Sequence, residues 1–228
     1  MNNPLSKPFF NWLGSLTQSK LAIAWIARTS PNVKYFHDTD QPIIALTIDD
    51  GPDPRTTPKI LETLGKYDAK ATFFITTSRI KGCESIIEAI VDQGHELGNH
   101  LTEDSPSIFL TDDEFEADLL KAHSMLEKFE SPVWMRPASG WYRPSMVAIA
   151  NKRGYQVALG CIFPFDTFLV SSDFAADFIL SKAFPGAIIV MHDTGTWGEE
   201  TAKTLDMVLP ELSHQGYKIL TLSNLFAP

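Results

Sequence analysis

Two adjacent carboxylates, Asp49 and Asp50, stand where an apolar run of the sequence ends and a turn begins. The run at residues 43–48 is rich in β-branched side chains, and Gly51 and Pro52 favour a turn directly after the acids. Adjacent side chains of an extended segment point to opposite sides, so one carboxylate can bind a cation while the other accepts a proton. An acidic surface turn explains the same residues, and their position alone does not decide between the two.

A second group follows a later apolar run, where His100 and Asp104 are four positions apart. Residues at this spacing can share one face of a helical turn, and two such side chains can chelate one metal ion. A histidine with an acid four residues later is also common as an ordinary hydrogen-bonded or exposed pair. The spacing therefore leaves both a ligand pair and a structural pair open.

Two further polar residues end apolar runs. Arg136 closes the run at residues 133–136, and His192 closes the run at residues 187–192. Histidine changes charge near neutral pH, so His192 is a candidate acid or base. The structural alternatives are an arginine in a turn before a helix and a histidine that caps a sheet.

The elements that would position these residues follow from the rest of the sequence. Short β-rich runs alternate with longer helical patterns, which is typical of parallel βα units. The predicted strands cover residues 43–48, 71–76, 95–99, 133–136, 156–160, 187–192 and 218–222. The predicted helices cover residues 58–67, 84–93, 112–129, 144–153, 173–184 and 199–215. Because the polar residues follow strands, the pattern favours a distorted seven-stranded (β/α) barrel, although an open doubly wound sheet also fits the alternation.

The N-terminal region and the composition limit the class of protein. Apolar residues at roughly helical spacing predict an amphipathic helix at residues 8–27, within an N-terminal helical segment (1–38) packed on a catalytic domain (39–228). The formal net charge of −9 argues against nucleic-acid binding and against a polybasic membrane anchor. The apolar run at 21–27 is too short to span a bilayer, and no convincing cleavage pattern follows it, which favours a cytoplasmic location over export.

The two cysteines, Cys83 and Cys161, are too few for a disulfide framework. We therefore expect buried free thiols, although one bridge is an alternative. The compartment and the oligomeric state stay open.

The run from Thr47 to Pro52 resembles the first motif of the polysaccharide deacetylases, the carbohydrate esterases with a NodB homology domain. The resemblance covers about residues 43–222 and implies the distorted barrel of that family. It implies that Asp49 is the general base, that Asp50 binds the metal and that His100 is a histidine ligand. The family's second motif normally ends in another histidine, and Asp104 stands at that place here.

The resemblance thus implies one divalent ion bound by Asp50, His100 and Asp104, with Thr102, Glu103 or a water as alternatives to the last ligand. Zinc is the first expectation, and manganese, cobalt or nickel are alternatives, because a carboxylate in place of an imidazole makes the donor set harder. Three carboxylates beside a single arginine also repel one another, which calls for an added cation.

The later motifs of the family fall on other strand ends. Arg136 matches the arginine that orients the base, and its planar guanidinium suits bidentate pairing with Asp49. His192 matches the general acid, and Asp166, in a degenerate fourth motif, would face His192 and raise its pKa above ~6.5. The backbone N–H of Ser139 matches the oxyanion donor.

Besides Ser139, three residues are expected to contact substrate. Val190 stands where the family normally has leucine beside the acetyl group, and Trp141 and Trp197 are the aromatic residues that we expect to stack on a sugar. Together these residues imply a hydrolase that deacetylates N-acetylated sugars or polysaccharide. A catalytically silent carbohydrate-binding protein and a metal-assisted amidase of a small non-sugar amide are the alternatives, because fold does not fix function.

Overall fold

The computed structural model describes residues 18–227, and in this part of the chain eight strands form one sheet. The strands are β1 Val33–Lys34, β2 Ile43–Asp49, β3 Ala71–Ile75, β4 Glu96–Asn99, β5 Trp134–Met135, β6 Gln156–Ala158, β7 Ile188–His192 and β8 Lys218–Leu220. The helices are α1 Lys20–Thr29, α2 Thr57–Lys66, α3 Glu84–Asp92, α4 Asp112–Leu126, α5 Pro144–Lys152, α6 Ser172–Lys182, α7 Gly195–His214 and α8 Leu222–Leu225. Short 3₁₀ turns lie at Thr77–Arg79, Ser107–Phe109 and Ala138–Gly140.

Every strand ladder is parallel, in the order β1-β6-β5-β4-β3-β2-β7, with β8 beside the first half of β2. The ladders leave a gap between the two edge strands, β1 and β7. Two isolated bridges, Phe36 with Ala187 and Ile162 with Ile189, span that gap. The result is the distorted α/β barrel that the sequence predicted, with its sheet curved but not continuously hydrogen-bonded.

The central strands β2 and β3 are apolar along nearly their whole length because helices cover the outside while side chains fill the inside. Each parallel crossover carries the chain back through a helix, so all strand C-termini meet at one end of the sheet. That end carries Asp49 and His192, the last residues of β2 and β7.

The seven predicted strands and six predicted helices are all present, with ends that differ by a few residues. The prediction missed the two-residue strand β1, which pairs with β6 and lies inside the segment 1–38. It also placed residue 222 in a strand, whereas Leu222 begins α8. Of the helix predicted at 8–27, residues 8–17 lie outside the described residues, and the described part runs to Thr29.

Cys83 and Cys161 are buried free thiols, as the sequence predicted. Among residues 18–227, no helix combines the length and the apolar composition that crossing a membrane requires.

Candidate active site

A cavity of about 650 Å³ opens at the carboxyl ends of the strands. Its lining includes residues from the ends of β2, β6 and β7 and from the loops after β4 and β5. All of the site residues predicted from the sequence line it: Asp49, Asp50, His100, Asp104, Arg136, Ser139, Trp141, Asp166, Val190, His192 and Trp197. Residues separated by more than a hundred positions therefore share one space.

Asp49 and Arg136 form a buried ion pair at the base of the cavity. Arg136 Nη1 donates to Asp49 Oδ1 at 2.5 Å and also to Thr47 Oγ1 at 2.9 Å, while Arg136 Nε donates to the carbonyl oxygen of Ala158 at 2.8 Å. The predicted pairing of these two residues is present, but the predicted bidentate geometry is wrong. The guanidinium donates to acceptors on two strands, β2 and β6, and only Nη1 contacts the carboxylate, while Nη2 has no hydrogen-bond partner among residues 18–227.

The aromatic ring of Phe74 lies against the guanidinium, with Arg136 Cζ 4.2 Å from the ring centroid. Gly98 on the adjacent strand makes room for this ring, because a Cβ at that position would lie 2.5 Å from Phe74 Cδ1. Burial lowers the pKa of Arg136, and the charge and hydrogen bond of Asp49 act in the opposite direction. Arginine remains charged at any ordinary pH, so Asp49 has a permanent cation as its partner at the base of the cavity.

Asp50 and His100 form the second pair, with His100 Nε2 3.3 Å from Asp50 Oδ1. His100 Nδ1 lies 2.8 Å from the carbonyl oxygen of Arg136, which can only accept, so Nδ1 carries the proton of the neutral ring and Nε2 faces Asp50. Burial opposes charge on both side chains. The hydrogen bond that Nε2 of the protonated ring donates to Asp50, with nearby opposite charges, outweighs burial, so the pKa of Asp50 is lowered and that of His100 is raised.

Asp104 is not part of this pair. Its carboxylate Oδ2 lies 3.1 Å from Arg79 Nη2, and its side chain is 38% exposed. The predicted helical turn after His100 is wrong, because Leu101 has a left-handed backbone (φ 67°) and residues 102–105 form bends. Four-residue spacing therefore does not carry His100 and Asp104 onto one face.

Asp50 and His100 fit a divalent ion as donors. An imidazole whose far nitrogen is fixed by a carbonyl, beside a carboxylate, is a common pair of metal ligands. A third ligand does not stand with them: among residues 18–227, no three His, Cys, Asp or Glu side chains are grouped closely enough to hold a metal. The charge argument from the sequence also omitted Arg79, which gives Asp104 a cationic partner of its own.

His192 ends β7 beside Asp49 of the neighbouring strand β2, and its ring faces Asp166. Asp166 Oδ1 and Oδ2 lie 3.1 and 3.0 Å from His192 Nδ1, and Oδ2 also accepts from the backbone N–H of His192 at 3.0 Å. Burial lowers the pKa of His192, but the Asp166 carboxylate outweighs it and raises this pKa to about 9. The ring of Trp197 packs edge-on to His192 at 6.4 Å between centroids, so Trp197 also limits how this ring can rotate.

Asp193 ties the two catalytic segments together, a role that the sequence did not reveal. Its backbone N–H donates to the carbonyl oxygen of Asp49 at 2.8 Å, and its carboxylate accepts from the hydroxyl groups of Thr56 and Thr57 at 2.6 and 2.5 Å. Burial raises the pKa of Asp193 to about 6. Asp193 thus fixes the end of β7 to the end of β2 and to the start of α2.

The predicted substrate-contacting residues occupy different depths of the cavity. Val190 is buried on β7, whereas Trp141 is 68% exposed at the mouth. Ser139 is also exposed and has a left-handed backbone (φ 66°), in the turn that follows Arg136.

The sequence did not indicate that α1 forms part of the cavity wall. Ile23 and Ile26 of α1 line the cavity, and Gln18 makes two hydrogen bonds with the backbone of Phe163, at 3.1 and 2.7 Å. Arg79 was also missed, although a polar run directly after the predicted second strand could have pointed to it. No sequence pattern specifies that α1 folds over the mouth.

Comparison with known proteins agrees with this geometry. Residues 36–158 match the family model of the polysaccharide deacetylases. The peptidoglycan-N-acetylglucosamine deacetylase of Bacillus cereus is 33% identical over 189 residues, which cover 82% of this chain and 89% of that protein.

Two solved structures share the fold. A CE4 family pseudoenzyme from Bacillus anthracis has a TM-score of 0.78 and 30% identity, over 85% of this chain and 68% of that one. A family 4 acetyl xylan esterase from Clostridium thermocellum, in complex with a cobalt ion, has a TM-score of 0.74 and 28% identity, over 81% of this chain and 90% of that one. On the family match and the identity to the Bacillus cereus protein, the chain belongs to the polysaccharide deacetylase family.

Proposed function

We propose that this protein is a metal-dependent hydrolase that removes acetyl groups from N-acetylated sugars of a polysaccharide such as peptidoglycan. The observation that carries the proposal is that two side-chain pairs, Asp49 with Arg136 and His192 with Asp166, line one cavity. Asp49 is paired with Arg136, and His192 is held as a proton donor by Asp166. Asp49 and His192 end the neighbouring strands β2 and β7, so the base and the acid that amide hydrolysis requires lie side by side at one cavity.

The steps follow from where these groups lie. Asp49 accepts a proton from the attacking water, and Arg136 orients the carboxylate through its hydrogen bond. The oxyanion that forms at the acetyl carbon accepts a hydrogen bond from the backbone N–H of Ser139. His192 then donates its proton to the leaving sugar amine, which yields acetate and a free amine.

Asp50 and His100 would hold the divalent ion, with Asp104 as the third ligand. Such an ion supplies a Lewis acid that makes a bound water acidic and polarises a carbonyl group. Zinc is the ion that we expect first, because the donor set contains an imidazole. The cobalt-bound esterase with the same fold supports a divalent ion and does not identify it.

A catalytically silent protein is the main alternative, because a pseudoenzyme is among the relatives with the same fold. The separation of Asp104 from Asp50 and His100 favours it. The intact Asp49–Arg136 and His192–Asp166 pairs favour activity, because a protein that only binds sugar needs neither a held base nor a held acid.

The test is acetate release from N-acetylglucosamine oligomers and from peptidoglycan, with Zn²⁺, Mn²⁺ or Co²⁺ added to protein treated with a chelator. We expect release that depends on the added ion and on His192, so that His192→Gln abolishes it. Binding of the glycans without acetate release under any ion would support the silent alternative. Release only from small non-sugar acetamides would instead identify an amidase.

A further inference from the structure

Arg79 engages a carboxylate that lines the same cavity as the proposed metal ligands. Arg79 Nη2 donates to Asp104 Oδ2 at 3.1 Å, and Asp104 lines the cavity together with Asp50 and His100. Arg79 therefore holds one carboxylate of the cavity in which the proposed metal ligands lie.

The backbone fixes the two loops that carry this pair. Arg79 ends the 3₁₀ turn after β3, and Asp104 lies in the bend after the neighbouring strand β4. Two backbone hydrogen bonds join the loops, from Thr77 N–H to the Leu101 carbonyl and from Ser78 N–H to the Thr102 carbonyl, both at 3.0 Å. The Arg79–Asp104 contact thus follows from the packing of two adjacent strands.

We propose that Arg79 competes with the divalent ion for Asp104, so that Asp50 and His100 bind the ion first and Asp104 joins them only after it leaves Arg79. The proposal rests on the proposed metal site at Asp50 and His100. It makes Arg79 a positioning residue that sets how many protein ligands the ion receives. Ion pairs as exposed as this one contribute about 0–1 kcal/mol, so the exchange is accessible at ordinary ion concentrations.

Arg79 could instead repel the ion or orient Asp104 towards it, and each of these roles predicts a different effect of removing Arg79. If Arg79 acts on the ion only by repulsion, its removal raises ion affinity by the same factor whether or not Asp104 is present. If Arg79 instead orients Asp104 towards the ion, its removal lowers affinity. Only competition predicts that removal of Arg79 raises ion affinity more when Asp104 is present, because Asp104 is then released to bind the ion.

The experiment is a double-mutant cycle with Co²⁺ titrated into chelator-treated protein and followed by calorimetry and by the visible absorption of bound cobalt. The variants are Arg79→Gln, Asp104→Asn and the double variant. We expect Arg79→Gln to tighten Co²⁺ binding by about three- to tenfold, and the same substitution in the Asp104→Asn background to give a gain at least about twofold smaller. The cobalt spectrum of Arg79→Gln should change, because the ion gains a carboxylate ligand.

Equal gains in the two backgrounds, or a loss of affinity in Arg79→Gln, would overturn the proposal. Arg153→Gln is the matched control, because Arg153 forms a similarly exposed pair with Glu116 at 2.7 Å between α4 and α5, outside the cavity. It should leave Co²⁺ affinity unchanged. His100→Ala tests the proposed metal site by itself. If this variant binds Co²⁺ as tightly as the wild type, the assignment of the metal site is wrong, whatever the Arg79 variants show.

Discussion

At His192, burial and a neighbouring carboxylate act on the pKa in opposite directions, and the carboxylate prevails. Asp166 contacts the ring nitrogen Nδ1 through both of its oxygens, which leaves Nε2 free of this contact. The raised pKa of about 9 keeps the imidazole protonated at neutral pH. An acid that is already protonated is what departure of an amine requires.

This arrangement predicts the alkaline limit of activity. The reactive form of His192 is protonated, so the rate should fall as the pH rises through about 9, where the proton is lost. Asp166→Asn removes the charge that raises the pKa, so its alkaline limit should move to lower pH. The measurement is kcat/KM for acetate release between pH 6 and 10. An unchanged limit in Asp166→Asn would contradict the assignment of His192 as the acid.

Asp49 and Asp50 are adjacent in sequence but serve different partners, Arg136 and His100. We therefore predict that Asp49→Asn lowers turnover by about 100-fold or more, the usual scale for loss of a general base, while bound metal stays near the wild-type level. Asp50→Asn should lower bound metal and turnover together. Metal analysis and turnover measured on the same preparations check both. Loss of metal from Asp49→Asn would show that the division of roles is wrong.

At the scale of elements, a glycine lets the neighbouring strands β3 and β4 place an aromatic ring against the buried Arg136. Phe74 of β3 packs under the Arg136 guanidinium, and Gly98 of β4 leaves the space that this ring occupies. Phe74 is fully buried, so it has nowhere to move. The position of Arg136 therefore depends on the close approach of two strands.

We predict that Gly98→Ala lowers the free energy of unfolding by about 1–3 kcal/mol, because the added methyl group overpacks a site that cannot relax. Turnover should fall as well, since Phe74 packs directly against the Arg136 guanidinium and the strain at Phe74 acts on this contact. Urea unfolding and acetate release provide the two measurements. Gly65→Ala is the matched control: Gly65 is an exposed residue of α2 with nothing near its missing Cβ, so this change should raise stability by roughly 0.5–1 kcal/mol. A Gly98→Ala variant as stable as the wild type would refute the packing argument.

At the scale of the whole molecule, His95 links stability to pH at the end of the barrel opposite the cavity. It is buried immediately before β4, where its Nδ1 accepts from the backbone N–H of Ala71 at 3.2 Å. Burial, and next the charge of Lys70, lower the pKa of His95 to about 4. The folded protein thus holds this ring neutral in a pH range where the unfolded chain would protonate it.

A group with a lowered pKa contributes stability above its unfolded pKa of ~6.5, and this stability is lost as the pH falls towards 4. We predict that His95→Asn, which keeps an acceptor for Ala71, makes the fall in unfolding free energy between pH 6.5 and 4 shallower, by up to about 3 kcal/mol. Denaturant unfolding at several pH values measures this. The exposed His214→Asn control should fall as steeply as the wild type, and a His95→Asn variant that does so too would rule out His95 as a source of acid sensitivity.

The sequence alone determined most of the architecture and the positions of the main reactive groups. Apolar runs that end in Asp49, Asp50 and His192 predicted strands with chemistry at their carboxyl ends, because parallel strands buried on both faces must be apolar and their C-termini must share one edge. The two-residue strand β1 was missed, since Val33 and Lys34 alone carry no periodic pattern.

The tertiary structure decided which partner each charged group takes. Asp104 pairs with Arg79 and not with His100, because the left-handed backbone at Leu101 turns the loop and the strand order brings two separate loops together. Arg136 reaches Asp49 through Nη1 alone, which also donates to Thr47, while Nε donates to the carbonyl oxygen of Ala158 on β6. A carboxylate pairs with the cation that lies within a few ångströms of it, and that distance is set by packing across strands, which spacing along the chain does not encode.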